Sequence, residues 1–342
     1  MTASLTAAGN CRVIVGRMHQ RRKMRKLVVS IRNMTDEQRE AIRATAAELG
    51  WTAEIYEDKN EAVAAAGSAE VVFGDTPRFA LDAPGLKWIC SPSAGVNHFT
   101  KNEAFVKSGV MLSNSSGAYG TTISEHILMV TLAMQRRLPE YQEKVRNKEW
   151  FRGYTIRSIK GSRVLIMGTG DIGSSAAARF RAFGPASIVG MNTSGVDESG
   201  MFDRMITPSG LSEVLPETDI VVMSLPLTEK TRHIMDREKL GLLPYGALIV
   251  NVGRGACIDQ EALVAELQAG RLRTALDVFE KEPIPEDLDL WDCPNLLITP
   301  HVSGDMLLPY TVEKIVEQFL EDCRRYAEGE RPLRAVELEK GY

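Results

Sequence analysis

Gly161-Ser162-Arg163-Val164-Leu165-Ile166-Met167-Gly168-Thr169-Gly170-Asp171-Ile172-Gly173 is the stretch whose reading decides the fold. Val164 to Met167 is an apolar run of the length expected for a buried parallel strand. Gly168, Gly170 and Gly173 then follow with the spacing G-x-G-x-x-G, and Ser174 to Phe183 reads as a helix with Ile172, Ala176, Ala177 and Phe180 on one face. In a strand–turn–helix unit each glycine has a physical task. The first allows the tight turn, the second lets a pyrophosphate approach the backbone, and the third lets helix and strand pack closely. The helix N-terminus adds free N–H groups and the positive end of a dipole. The stretch therefore reads as a dinucleotide-binding turn.

The strand–helix alternation extends to both sides of it. Upstream, strands are expected at Leu27–Ile31, Thr52–Tyr56, Val71–Phe73, Trp88–Cys90 and Val110–Leu112, with helices between them. Thr35 followed by Gln38 is a capping box for the first of those helices. Downstream, strands are expected at Ala186–Met191, Asp219–Met223, Leu248–Val250, Thr274–Leu276 and Leu296–Ile298, and a final helix at Thr311–Glu328. This pattern implies parallel sheets with helices on both faces. Between the halves, Asn114 to Gly120 is loop, Thr121 to Arg137 a helix apolar nearly all round, and Tyr141 to Lys160 a charged connector. A helix of that kind needs cover on several sides, which suggests a subunit contact as well as a domain contact. Met129 and Met134 within it read as core.

Bulk properties exclude several classes. The chain has 342 residues, 44% of them hydrophobic and 25% charged, enough for two domains of a soluble globular kind. The net charge of −4 gives no reason to expect a nucleic-acid or membrane-surface partner. No apolar run approaches the ~20 residues that span a bilayer. Five scattered cysteines, none in a C-x-x-C pair, read as reduced thiols in a cytoplasmic protein. The five histidines offer no metal-ligand spacing. Residues 1–23 carry basic residues and no acidic ones, and read as a disordered extension ahead of a natural start near Met24.

Three polar residues stand where short strands end. Arg254 lies in Asn251-Val252-Gly253-Arg254-Gly255, Asp277 follows Thr274–Leu276, and His301 follows Thr299-Pro300. Parallel strands bring such ends to one edge of a sheet, the edge that also carries the glycine turn. The planar guanidinium of Arg254, flanked by glycines, suits a carboxylate. In the first half, Ser91-Pro92-Ser93-Ala94-Gly95-Val96-Asn97 follows a strand end and is either an anion loop or an ordinary turn. About 20 residues past the glycines, where an acidic residue usually holds the ribose, stands Asn192, followed by Thr193 and Ser194. No carboxylate there repels a 2′-phosphate, and no arginine attracts one, so the cofactor is read as NAD(P)H, leaning toward NADP(H).

Taken together, Gly168–Gly173, Leu225-Pro226-Leu227-Thr228 with Thr231, Asn251–Gly255, Asp277-Val278-Phe279-Glu280-Lys281-Glu282-Pro283 and Thr299–Gly304 resemble the D-isomer-specific 2-hydroxyacid dehydrogenases. The match runs in order from about Leu27 to the last helix. The resemblance implies two Rossmann-like parallel-sheet domains with a cleft between them, the last helix returning to the first domain. Residues 24–115 with 308–342 would then be the substrate domain and 116–307 the dinucleotide domain. It implies Arg254, Glu282 and His301 as catalytic residues and Ala94, Gly95 and Arg254 as substrate-binding residues. Cofactor contacts are implied at Gly168, Thr169, Gly170, Asp171, Ile172, Gly173, Asn192, Thr193, Ser194, Pro226, Thr231, Val252, Gly253 and Asp277. It implies hydride transfer between a small 2-oxo acid and a D-2-hydroxy acid, with no metal and in a homodimer. Glyoxylate or hydroxypyruvate reduction comes first and phosphoglycerate oxidation second. The chain ends soon after its last helix, so the extra regulatory domain of some phosphoglycerate members is not expected. The rival from another class is a nucleotide-sensing, corepressor-like interaction protein on the same scaffold.

Overall fold

The computed structural model describes residues 25–338. The expected disordered extension, residues 1–23, lies outside the described residues. Twelve strands form two wholly parallel sheets. The first contains β1 (Arg25–Ser30), β2 (Trp51–Ile55), β3 (Val71–Gly74), β4 (Trp88–Cys90) and β5 (Met111–Ser113), in the order β2-β1-β3-β4-β5. The second contains β6 (Arg163–Met167), β7 (Ser187–Met191), β8 (Arg204–Ile206), β9 (Ile220–Met223), β10 (Leu248–Asn251), β11 (Arg273–Leu276) and β12 (Leu296–Ile298). Its order is β12-β11-β10-β9-β6-β7-β8. The chain enters each sheet in the middle and winds outward in both directions, so both have a switch in strand order. At such a switch the loops at the carboxyl ends diverge and leave a crevice.

Local chemistry agrees with this layout. Val28, Val29, Val71, Val72, Ile166, Val222 and Val250 are fully buried, as central strands covered on both faces require. Thr35 caps the helix Asp36–Glu48 with both capping-box bonds made, Gln38 N donating to Thr35 Oγ1 and Thr35 N donating to Gln38 Oε1. The last helix, Pro309–Glu328, returns to the first sheet. There Phe319 stacks on Phe73 with centroids 3.9 Å apart and leans on Trp88 at 5.7 Å. Beyond it Val336 N donates to Leu112 O, tying the chain end to β5.

Two expectations need correction, and two elements were not expected. The connector expected from Tyr141 begins inside a helix, Leu138–Arg146. Pro139 stands in the first turn of that helix, which needs no N–H from it. β8 and the helix Arg237–Leu242, which Asp236 caps, carry too few apolar residues to stand out by periodicity. Met129 is not core. The long helix Gly120–Gln135 buries Ile123, Ile127, Val130 and Met134 along one face, and Met129 on the other is 55% exposed.

Candidate active site

The glycine turn has the shape its sequence implies. Gly168 takes φ +95°, a left-handed value that only glycine adopts freely, and a Cβ there would press on Ser224 at 3.0 Å. A methyl group on Gly173 would overlap the carbonyl of Gly168, so the helix Asp171–Arg181 packs against the turn only because the side chain is absent. Gly170 differs: a Cβ there would meet nothing within 4 Å. Its open side is the free N-terminus of that helix, where a pyrophosphate fits. These residues therefore suit a dinucleotide. Asp171 turns its carboxylate away, accepting from the backbone of Tyr119 and Gly120 at the start of the long helix. Burial, the largest influence on it, raises its pKa.

The remaining predicted cofactor positions line the same edge. Gly253 is pressed onto Leu225, whose backbone a Cβ would meet at 2.7 Å, so the ends of β9 and β10 lie together. Val252 N donates to Met223 O between them. Thr231 Oγ1 donates to Pro226 O at 2.6 Å and accepts from Thr228 N at 2.8 Å, which closes the loop after β9. Asn192 is spent internally. Its Nδ2 donates to Thr169 Oγ1 and Val196 O, and its Oδ1 accepts from Gly195 N and Ser194 Oγ. Thr193 and Ser194 remain exposed. The neighbouring Asp197 organises its own loop, accepting from Ser199 N, Gly200 N and Phe202 N.

Arg254 bridges the two sheets. It leaves the end of β10, and its Nε donates to Asn97 Oδ1 at 3.1 Å, in the loop that follows β4. A methyl group on Gly95 would overlap Arg254 Nη2. The guanidinium thus rests on the backbone of the serine loop, and Nη1 donates to Gly253 O at 2.6 Å. Burial lowers the Arg254 pKa, and the charges of Glu282 and Cys257 oppose that shift. The serine loop is held from behind. Asn114 Nδ2 donates to Ala94 O, Ser115 Oγ to Ser91 O and Tyr119 OH to Pro92 O. Asn97 is a contact that residue type did not single out, although its place at the end of the serine loop was the available signal.

His301 Nδ1 lies 2.6 Å from Glu282 Oε2, while Glu282 Oε1 accepts from Phe279 N at 2.9 Å. The ring is half exposed, and its Nε2 has no partner among the described residues. The backbone at His301 has φ +56°, an uncommon value for a residue with a side chain. Asp277 holds that conformation. It is 1% exposed, and its carboxylate accepts from Thr299 Oγ1, Val302 N and Ser303 N, residues on both sides of His301. Burial pushes the Asp277 pKa up, but the donors at Ser303, Thr299 and Val302 outweigh it and hold the group below the usual carboxylate range. Asp277, the residue expected at the cofactor, holds this loop with both its oxygens. Among the described residues no group of histidine, cysteine and acidic side chains is arranged to hold a metal ion.

The sequence profile described as "D-isomer specific 2-hydroxyacid dehydrogenase, NAD binding domain" matches residues 128–303. A glyoxylate/hydroxypyruvate reductase B of Pectobacterium atrosepticum is 32% identical over 231 residues, covering 66% of this chain and 72% of that one. Among solved structures, a D-isomer specific 2-hydroxyacid dehydrogenase family protein from Aeromonas salmonicida superposes with a TM-score of 0.81 at 28% identity, over 92% of this chain and 99% of that one. An NADPH-dependent glyoxylate/hydroxypyruvate reductase from Sinorhizobium meliloti, solved with NADP and sulfate, superposes with a TM-score of 0.75 at 25% identity. It spans 93% of this chain and 100% of that one.

Proposed function

The chain belongs to the D-isomer specific 2-hydroxyacid dehydrogenases, oxidoreductases that use a nicotinamide dinucleotide, and on that premise we propose that it reduces a small 2-oxo acid, glyoxylate or hydroxypyruvate. The observation that carries this reading is Arg254 reaching from the dinucleotide sheet onto the serine loop of the other sheet. Phosphoglycerate oxidation ranks second. The relatives named as reductases favour an enzyme over the sensing protein.

In this reading Arg254 and the backbone N–H groups at Ala94 and Gly95 bind the substrate carboxylate, and Arg254 also faces the carbonyl oxygen. Fixing the carbonyl carbon in that way contributes by positioning, and the guanidinium stabilises charge as it develops on the oxygen. When bound, the dinucleotide supplies the hydride. His301 Nε2 donates the proton to the forming hydroxyl, and Glu282 on Nδ1 fixes the ring orientation. Asp277 keeps the His301 loop in its left-handed shape. Gly168, Thr169, Gly170, Ile172 and Gly173, with the loops at Pro226, Thr231, Val252 and Gly253, would hold the dinucleotide. Preference leans to NADP(H), since no acidic residue occupies the ribose position and Thr193 and Ser194 stay available to a 2′-phosphate. Asn192 and Asp171 contribute through their backbone, their side chains being engaged elsewhere.

Residues 24–115 with 308–342 would form the substrate domain and residues 116–307 the dinucleotide domain. They would hinge where the long helix crosses the last one at the Thr122–Thr311 hydroxyl pair. A homodimer would cover Met129, Leu138, Val145, Phe151 and the 92%-exposed Trp150, an apolar surface around the long helix and the strap beyond it. The four described cysteines are unpaired, which supports a reducing, cytoplasmic setting. The test is steady-state kinetics with NADH and NADPH across small 2-oxo acids. Turnover of none of them would refute the assignment.

A further inference from the structure

One polar cluster on the first sheet takes no part in the chemistry above. Asp75 is the first residue past β3, the strand beside β4. Its Oδ1 accepts from Ser91 Oγ at 2.6 Å and lies 2.9 Å from His98 Nε2, and its Oδ2 accepts from Ser93 Oγ at 3.0 Å. The carboxylate therefore touches both flanks of the loop whose middle, at Gly95, meets Arg254. Burial opposes its charge, but the donors at His98, Ser91 and Ser93 outweigh burial and hold the group below the usual range. The side chains of Asp75 and His98 stay 33% and 42% exposed, so the cluster opens outward.

A 2-oxo acid presents three substituents at its reacting carbon. In the binding mode proposed above, Arg254 and the serine loop take the carboxylate, and Arg254 with His301 takes the oxygen. The third substituent must lie against the first sheet, on one side of β4 or the other. On the β5 side, Asn114 and Ser115 are buried and already committed to Ala94 O and Ser91 O. On the β3 side stands Asp75, partly open and charged. Tyr119, whose hydroxyl bonds the same loop, has its pKa raised first by burial and then by the charges of Asp75 and Asp305, so the loop after His301 brings a second acid toward this wall. Arg32, the exposed cation past the end of β1, stands one strand further out.

We propose that Asp75 reads the substrate's third-carbon side chain. It admits short side chains that are neutral or donate a hydroxyl hydrogen, and it rejects those carrying a second anionic group, whether phosphate or carboxylate. This inference rests on the 2-oxo acid reductase reading and narrows it to a substrate class.

The experiment compares kcat/KM for glyoxylate, hydroxypyruvate, oxaloacetate and 3-phosphohydroxypyruvate on the full chain. Wild type should favour the two singly charged acids. Asp75→Asn should raise the ratio of doubly to singly charged substrates by about tenfold, the size of one unit charge acting through a partly solvated site. Ser93→Ala keeps the charge and should leave that ratio within about twofold. The wild-type ratio should also rise as salt goes from ~0.01 M to ~0.5 M, because screening weakens repulsion between charges. An unchanged ratio in Asp75→Asn, an equal rise in Ser93→Ala, or a wild-type preference for the phosphorylated acid would each overturn the inference. If Asp75→Asn does not fold, a salt-independent wild-type ratio overturns it and a rising one supports it. Failure to turn over any of the four acids overturns this inference and the reductase reading together. Glyoxylate turnover with the ratio unmoved overturns only the role of Asp75.

Discussion

At the carboxyl ends of its strands each sheet carries a loop that we propose binds an anion, and the two loops are built by opposite means. In the second sheet the loop is Gly168–Gly173, running into an 11-residue helix. Its shape comes from missing side chains, since Gly168 and Gly173 leave no room for a Cβ. In the first sheet the loop is Ser91–Asn97, running into the four-residue helix Asn97–Thr100. Its shape comes from side chains that are present: Asn114, Ser115 and Tyr119 hold it from the segment after β5, and Asp75 from the end of β3. Arg254 closes it from the other sheet. A loop defined by glycines works wherever its strand and helix form. A loop defined by distant side chains works only when two sheets are correctly apposed.

Four tests, using five substitutions, would break or sharpen that contrast. The largest effect belongs to His301→Ala, expected to lower kcat by about 10²–10⁴. Reduced dinucleotide should still bind, as followed by its fluorescence; normal turnover would remove His301 from the mechanism. Next, Arg254→Ala cuts the link between the loops. It should raise KM for the 2-oxo acid and lower kcat/KM by roughly a hundredfold, in line with losing charged hydrogen bonds worth ~1.5–3 kcal/mol. An unchanged KM would mean that the serine loop binds its anion unaided.

The third test separates two glycines of one motif. Gly170→Ala has open space for its methyl group and should melt like wild type while dinucleotide affinity falls roughly tenfold or ~1.4 kcal/mol. Gly173→Ala must displace the helix from the turn and should cost ~1–3 kcal/mol of stability in denaturant unfolding. Equal stability of the two variants would contradict the packing described for this turn. The smallest effect is expected from Thr35→Ala, which removes a helix cap far from either loop. About 1 kcal/mol of stability should be lost with no change in KM for either ligand.

Much of the fold could be read from residue pattern. Strands such as Val164–Met167 and Ile220–Met223 are uniformly apolar because both faces are buried, and the breaks between them fall at glycines and polar turns. The capping box at Thr35 is visible for the same reason, being local chemistry within four residues. The helix after Pro139 and the side of the long helix that carries Met129 were not visible. Helix starts and outward faces depend on what the rest of the chain covers. At the site, Arg254, Asp277 and His301 stand out in the sequence by lying just past strand ends, whereas Glu282 is marked only by the family resemblance. Asp75 stands in an equivalent place and Asn97 closes the serine loop, yet residue type marks neither, because asparagine and aspartate in loops are ordinary turn formers.

Residue order alone determined that two parallel sheets would form, that one would carry a dinucleotide turn, and which side chains would reach the carboxyl edge. Those features depend on spacing along the backbone, where neighbours are fixed by covalent geometry. Tertiary structure decided that Arg254 would lie on Gly95, 159 positions earlier in the chain, that Asp277 would serve the loop around His301, and that Asp75 would flank the serine loop. Those contacts exist only after the sheets have packed, when a guanidinium or carboxylate taken out of water must find its partner among whatever the fold has brought within reach.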